Sequence, residues 1–367
     1  MKNKMQKKIS KNKRVFVGMS GGVDSSVSAL LLKKKGYDVT GVFIKVWQPD
    51  FIECTWREDR RDAMRVCAEL DIPFITLDLE KEYKKGVIDY MIREYKSGRT
   101  PNPDVFCNKE VKFGAFLDWA LKNGADFVAT GHYAQNKIID KNNSLIKGKD
   151  ISKDQSYFLW TLNKKQLEKI IFPIGNLLKS EIRKIAEENN LVTAKKKDSQ
   201  GLCFIGKIDV KDFLKEYIKN KSGEIFDIDL NKKLDKKVAK HDGVFFYTIG
   251  EKINGKYIIK KDIKNNILYI GSKIENKYSK NKEIREMVLE NTNFLEKLKV
   301  KMIYNIEERY HAIGSKIELL YTKENRSKKE ILIRYSLINK NKDFIYTSGQ
   351  SLVFYKKNKL IGGGIMK

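Results

Sequence analysis

The sequence predicts an α/β protein: a doubly wound parallel sheet, then a small β-rich central domain, then a C-terminal β-barrel. Three observations predict it. Short apolar runs alternate with helical periods through the first half of the chain. A glycine- and serine-rich turn, Ser20-Gly21-Gly22-Val23-Asp24-Ser25-Ser26, separates the first run from the first helical period. Beyond about Lys211 the helical periods become rare and short alternating runs take over.

Val15-Phe16-Val17 reads as a buried strand. Val27, Leu30 and Leu31 stand at helical spacing, and the basic residues up to Gly36 close that helix. Residues 39–44 and 74–77 are the next strands, with a helix over 58–70 between them. A helix over 113–121 leads to a strand over 127–130. The two prolines in 98–113 are expected to hold that segment out of helix. Residues 244–248, 257–259 and 267–270 are short strands of the central region. Residues 300–303, 317–321, 331–337 and 351–355 alternate more clearly, and 351–361 reads as a hairpin; this end suits a small barrel or sandwich. The Lys- and Asn-rich stretches near 139–150 and 229–240 read as solvated loops. The resulting division is 1–212, 213–282 and 283–367, reasonable for 367 residues.

The 74 basic and 47 acidic residues leave a formal charge of +27, which favours a polyanionic partner such as nucleic acid. Joint enrichment in Lys, Asn and Ile is an equally good compositional cause. No apolar run reaches the length of a membrane span, and no apolar stretch follows the basic start, so a cytoplasmic protein is expected. The four cysteines, Cys54, Cys67, Cys107 and Cys203, form no C-x-x-C pair, and no metal site of that kind is expected. Cys67 lies in a helical period and reads as packing. Cys107 and Cys203 each sit among lysines, outside apolar runs, and read as exposed thiols that neighbouring charge could activate. Asp104 stands three residues before Cys107, within reach of its thiol.

Glycines in the 20–26 turn let backbone N–H groups approach a phosphate, and Ser20, Ser25 and Ser26 add hydroxyl donors. Asp24 would repel a phosphate unless a cation such as Mg²⁺ bridged them. A plain strand-to-helix turn is the competing reading. The turn looks like the S-G-G-x-D-S loop of the ATP pyrophosphatases, which cleave ATP to AMP and pyrophosphate.

Seven ordered segments resemble the tRNA-specific 2-thiouridylases. They are 18–25, 98–113, Ala129-Thr130-Gly131-His132-Tyr133, 153–159, 195–206, His241-Asp242-Gly243 and Gly362-Gly363-Gly364. The resemblance implies an adenine nucleotide alpha hydrolase-like fold and adenylation of C2 of the wobble uridine in tRNAs for Lys, Glu and Gln. Cys203 would carry the persulfide and Cys107 would release the sulfur, leaving a Cys107–Cys203 disulfide, with Asp104 as acid/base. Gly18, Met19, Ser20, Gly21, Gly22, Val23, Asp24, Ser25, Ile44 and Gly131 would line the ATP site. Asn102, Pro103 and Asp104 would surround the target base. His132, Lys153, Asp154, Gln155, Arg309, Tyr310 and Gln350 would contact tRNA. ATP and Mg²⁺ are the implied cofactors, and a cysteine desulfurase or relay protein the implied persulfide donor. Ile44 stands where methionine is usual, Ser348 where proline is, Lys147 where arginine is, and Glu251-Lys252 where Gln-Arg is.

Overall fold

The computed structural model describes residues 13–51, 56–198, 209–234, 240–272, 284–311, 314–325, 327–338 and 346–367. They form two compact units. One comprises the described residues of Met1–Val87, Asp104–Lys207 and Asn358–Leu360; the other those of Ile88–Pro103, Ile208–Lys357 and Ile361–Lys367.

The first unit is built on β1 (Arg14–Gly18), β2 (Asp38–Lys45), β3 (Phe74–Asp78), β4 (Phe127–Ala129) and β7 (Ile170–Ile171). All four pairings are parallel, in the order β3-β2-β1-β4-β7. The doubly wound sheet expected from the sequence is therefore present. Its order reverses direction between β1 and β4, and in open α/β sheets ligands bind at that switch, at the carboxyl ends of the strands. Helix α1 (Val23–Lys34) is buried along Val23, Val27, Ala29, Leu30 and Leu32. Burying each of the valine and leucine side chains contributes roughly 1.5–3 kcal/mol, which anchors the turn that precedes the helix. Helix α2 (Trp56–Glu69) buries Ala63, Val66 and Cys67. A Cβ at Gly41 of β2 would stand 2.3 Å from the Cys67 sulfur, so the glycine admits the thiol. Burial pushes the Cys67 thiol up to about 11, in keeping with a packing role.

The segment 98–113 departs from the sequence expectation. A continuous helical stretch begins at Pro103, runs as one α-turn to Phe106, then as a π-helix over Cys107–Ala115, and ends as α3 (Phe116–Lys122). Proline is disfavoured inside a helix but suits its first position, where its missing N–H has no partner to lose. Pro103 opens this helix; only the segment up to Asn102 stays out of helix. The wider π-turn is marked by Phe116 N donating to Val111 O, five residues back.

The stretch near 139–150 is not simply a loop. Strands β5 (Ala134–Ile139) and β6 (Asn142–Lys147) form an antiparallel hairpin around Asp140 and Lys141, both in the left-handed region. Turn chemistry at the centre, not low apolarity of the flanks, decides such a hairpin. Helix α4 (Lys179–Glu188) completes the parts of this unit that matter below.

The second unit carries two sheets. The smaller contains β8 (Gly223–Asp227), β9 (Lys232–Lys233), β10 (Lys240–His241), β11 (Lys252–Ile253), β12 (Lys256–Asp262) and β13 (Ile267–Gly271). Residues 244–248, expected as a strand, instead contain a 3-10 turn at Val244–Phe246, set by Gly243 at φ 147°. The larger contains β14 (Ile284–Phe294), β15 (Met302–Glu307), β16 (Ser315–Asn325), β17 (Glu330–Leu337), β18 (Ser351–Lys356) and β19 (Lys359–Met366). Their order is β14-β17-β16-β15-β18-β19, and β14 also pairs β19, which closes a barrel. Its core includes Leu289, Ile306, Ile317, Leu319, Ile333, Leu352 and Phe354. No described helix is long and apolar enough to cross a membrane.

Candidate nucleotide and sulfur-transfer site

The turn between β1 and α1 lies at the switch point of the sheet. Gly21 has φ +74°, and a Cβ there would stand 2.3 Å from Asp59 O; a side chain is excluded by conformation and by space. Gly22 caps α1 without any side-chain hydrogen bond, which leaves the N–H groups of the helix's first turn, Val23 to Ser25, for a ligand, while Ser20 N and Gly22 N are spent on Ser25 Oγ and Ser20 Oγ. Across the switch, a Cβ at Gly131 would fall 2.8 Å from both Asp24 C and Ser25 N. Gly131, 106 residues beyond Ser25 in the sequence, thus abuts the turn directly. Met19 N donates to Val42 O at 2.8 Å and its side chain is buried, so neither its N–H nor its side chain is left for a ligand. Ile44 lies half-buried at the carboxyl end of β2, opposite Leu77.

The hydroxyls divide. Ser20 is exposed. Ser25 Oγ donates to Gly22 O at 3.0 Å and accepts from Ser20 N at 3.2 Å. Ser26 is fully buried, donates to Gly22 O at 2.8 Å and accepts from Thr193 Oγ1 at 2.9 Å. Ser26 therefore shapes the turn and is not the phosphate donor expected of it.

Asp24 is matched by a residue that the sequence reading missed. Lys179 Nζ lies 2.8 Å and 2.9 Å from the two Asp24 oxygens and 2.8 Å from Asp198 Oδ1. Tyr133 OH donates to Asp24 Oδ1 at 2.6 Å, and burial with the adjacent Asp24 charge keeps Tyr133 a phenol. The repulsion that suggested a bridging cation is thus already countered by Lys179. Among the described residues no three His, Cys, Asp or Glu side chains gather around a metal position. A Mg²⁺ ion carried on a nucleotide needs only one or two protein carboxylates, and Asp24 offers one.

Asp198 draws three cations: Lys179, Lys153 at 3.1 Å and Arg183 at 2.5 Å. Burial works against its charge, but Lys179 and Lys153 outweigh that and hold it down at about 2. Lys153 is thereby placed beside the nucleotide turn's counter-ion. Asp154 is buried and accepts from Gly148 N, Ser156 N and Ser156 Oγ at 2.8, 3.2 and 2.9 Å. Gln155 Oε1 accepts from Tyr133 N at 3.1 Å. Both side chains hold the 148–156 loop in shape. His132 is buried between the rings of Phe113 and Phe172, with Nδ1 2.7 Å from Thr130 Oγ1. Burial and Lys112 keep it neutral.

Cys107 opens the π-helix and is buried at 4% exposure, against the expectation of an exposed thiol. Its neighbours Val105, Phe106 and Val111 are buried too, because the helix begun by Pro103 turns them inward. Asp104 sits one turn earlier on the same helix. Burial pushes its carboxyl up, against an opposing pull from Lys112. That shift suits a proton carrier. It also has a stability consequence of fixed sign: the folded state holds the Asp104 proton more tightly than the unfolded chain does. The contribution is present below the ordinary aspartate range and lost as pH rises through the raised folded value. Asp104→Asn is accordingly expected to raise Tm at pH 7, with the gain shrinking toward pH 4; calorimetry across that range checks it. A Tm difference independent of pH would contradict the assignment.

Cys203, Cys54 and the rest of 199–208 lie outside the described residues, so the pairing of Cys107 with Cys203 is not visible. In the second unit, Arg309 NH2 donates to Ile249 O at 3.1 Å, and the Tyr310 and His311 rings lie 3.9 Å apart. Gln350 Nε2 donates to Thr100 O at 2.9 Å. Of the expected residues, the structure brings the nucleotide turn, Gly131 and, through Asp198, Lys153 together within the first unit.

A parallel sheet with a glycine-rich turn at its switch point, backed by a lysine on the loop aspartate, defines an α/β protein with a nucleotide-binding turn. Residues 13–207 match the family description "tRNA methyl transferase HUP domain", and 211–272 match "tRNA methyl transferase PRC-barrel domain". The chain is 44% identical to the tRNA-specific 2-thiouridylase MnmA of Oceanobacillus iheyensis, over 97% of this chain and 95% of that protein. It is 41% identical to the protein of the same name from Streptococcus mutans, over 96% of this chain and 95% of that protein. The chain belongs to the tRNA-specific 2-thiouridylase family.

Proposed function

We propose that the chain is a tRNA-uridine 2-sulfurtransferase that consumes ATP to replace the C2 oxygen of a tRNA wobble uridine with sulfur. Full-length family membership carries this reading. A uracil carbonyl oxygen leaves poorly, whereas AMP leaves well. The uridine O2 attacks the α-phosphorus of ATP and pyrophosphate departs. The terminal sulfur of a Cys203 persulfide attacks C2, and AMP is expelled. The Cys107 thiolate then attacks the Cys203 sulfur; the S–S bond to the tRNA breaks and 2-thiouridine leaves, with a Cys107–Cys203 disulfide remaining. A thiol reductant supplies the two electrons that reset the pair.

The N–H groups of Val23, Asp24 and Ser25, within the 18–25 turn and with Gly131, hold the phosphates and adenosine side of the nucleotide, with Ile44 beside them. Lys179 screens Asp24 and faces the phosphates. Mg²⁺ brought in with ATP would neutralise phosphate charge, with Asp24 as the residue that holds it. Asp104 takes and returns the proton at the thiols, and Asn102 and Pro103 flank the base. His132, Lys153, Arg309 and Tyr310 contact tRNA. The substrates are the tRNAs for Lys, Glu and Gln, the donor is a cysteine desulfurase or a relay protein, and the setting is the cytoplasm. The division 1–212, 213–282 and 283–367 gives the catalytic, central and tRNA-contacting parts. An amidating ligase of the same ATP class would need neither thiol and is not favoured.

Incubation with ATP, Mg²⁺, a persulfide source and unmodified tRNA-Lys, followed by digestion and mass spectrometry, is expected to yield 2-thiouridine. Wild-type protein that forms no 2-thiouridine, or a Cys203→Ala variant that forms as much as wild type, defeats the proposal.

A further inference from the structure

We propose that Gln350 serves the target uridine indirectly, as a positioning residue that clamps the 99–103 segment to the barrel. The inference rests on the reading that Asn102, Pro103 and Asp104 flank the base. Residues 88–103 belong to the same compact unit as the barrel. The segment Thr100-Pro101-Asn102-Pro103 cannot hold itself together by backbone hydrogen bonds, since two of its four residues lack an N–H. Its carbonyls need donors from elsewhere.

The turn before β18 provides them. Gln350 Nε2 donates to Thr100 O at 2.9 Å and lies 3.4 Å from Pro101 O. Thr100 N donates to Ser348 O at 2.9 Å. Gly349 has φ +94°, and a Cβ there would stand 2.9 Å from both Thr100 N and Thr100 O, so only glycine permits this approach. The turn is itself fixed to the last strand: Gly349 N donates to Met366 O and Met366 N to Gln350 O, both at 2.9 Å. On the other side of Thr100, Arg99 pairs with Glu94 at 3.0 Å and with Glu290 of β14. Thr100 is buried at 6% exposure. The loop entering Asn102 is therefore held from both flanks by the first and last strands of the barrel. An amide that has spent its N–H groups on two carbonyls keeps only its oxygen for any other partner.

A clamp and a direct tRNA contact predict different kinetics. For a clamp, Gln350→Ala lowers the thiolation rate at saturating tRNA-Lys by about tenfold or more, because a small displacement of the bound base is costly. The tRNA Kd changes by less than about twofold, a factor of little energetic weight. Gln350→Glu behaves like the alanine variant, because a carboxylate cannot donate to Thr100 O. Hydrogen exchange at the Asn102 amide quickens in both. A tRNA Kd weakened about tenfold with an unchanged saturating rate would overturn the clamp in favour of direct contact. So would a Gln350→Glu variant with the wild-type rate. Asn102→Ala and Asp104→Asn test the parent reading separately. If both retain full activity, the 102–104 assignment fails; if they lose activity while Gln350→Ala keeps it, only the clamp fails.

Discussion

Lys179→Ala is expected to stop the ATP-dependent step almost completely, with a fall of roughly 10²–10³ in tRNA-dependent pyrophosphate release. Lys179 Nζ stands between Asp24 and Asp198, 2.8 Å from an oxygen of each. Without it, two carboxylates face each other and the incoming phosphates with no cation between them. Tyr133 still donates to Asp24, but a phenol carries no charge. Lys179→Arg is expected to rescue little, because a planar guanidinium does not replace a compact ammonium held among three oxygens. Persulfide loading of Cys203 needs no ATP and should proceed in the variant, which separates this defect from misfolding. Pyrophosphate release within about threefold of wild type would show that Lys179 only balances the loop charge, since catalytic electrostatic groups cost far more when removed.

Cys107→Ala is expected to reduce 2-thiouridine formation by roughly 10³-fold or more, as for loss of a group that acts covalently. In the proposed mechanism, adenylation and the attack of the Cys203 persulfide do not use this thiol. The reaction should halt with tRNA joined to Cys203 through a disulfide, visible as a protein–RNA adduct on a non-reducing gel. Added dithiothreitol should cleave the adduct and release 2-thiouridine, since an external thiol can make the same exchange. The substitution removes one buried sulfur, and a loss of that size costs on the order of 1 kcal/mol. A folded variant without adduct and with wild-type product would remove Cys107 from the chemistry. The burial of Cys107 at 4% exposure adds a condition: the released sulfur must be handed over within a closed site or after a local opening of its surroundings.

Much of the nucleotide turn was legible because its requirements are local. A glycine at φ +74°, another at a helix start and serines that bond Gly22 are all settled within seven residues. Repeated strand and helix periods likewise pointed to the parallel sheet, as each follows from which faces must be buried. The helix from Pro103 was missed because proline was weighed as a breaker, whereas its position in the element decides its effect. Cys107 looked exposed from its charged neighbours, yet burial depends on which way the helix faces. The hairpin at Ala134–Lys147 was hidden by polar residues whose partners come from strand pairing.

The sequence by itself determined the ATP loop, the alternation that yields the α/β half, and the seven ordered motifs that place the chain in its family. These are short-range patterns, and a motif's backbone needs are written within it. Only the tertiary structure decided that Lys179 meets Asp24 across 155 residues, that Thr193 donates to Ser26 across 167, and that Gln350 holds Thr100 across 250. Those pairings depend on where separate elements pack, and their partners share no spacing from which a sequence could announce them.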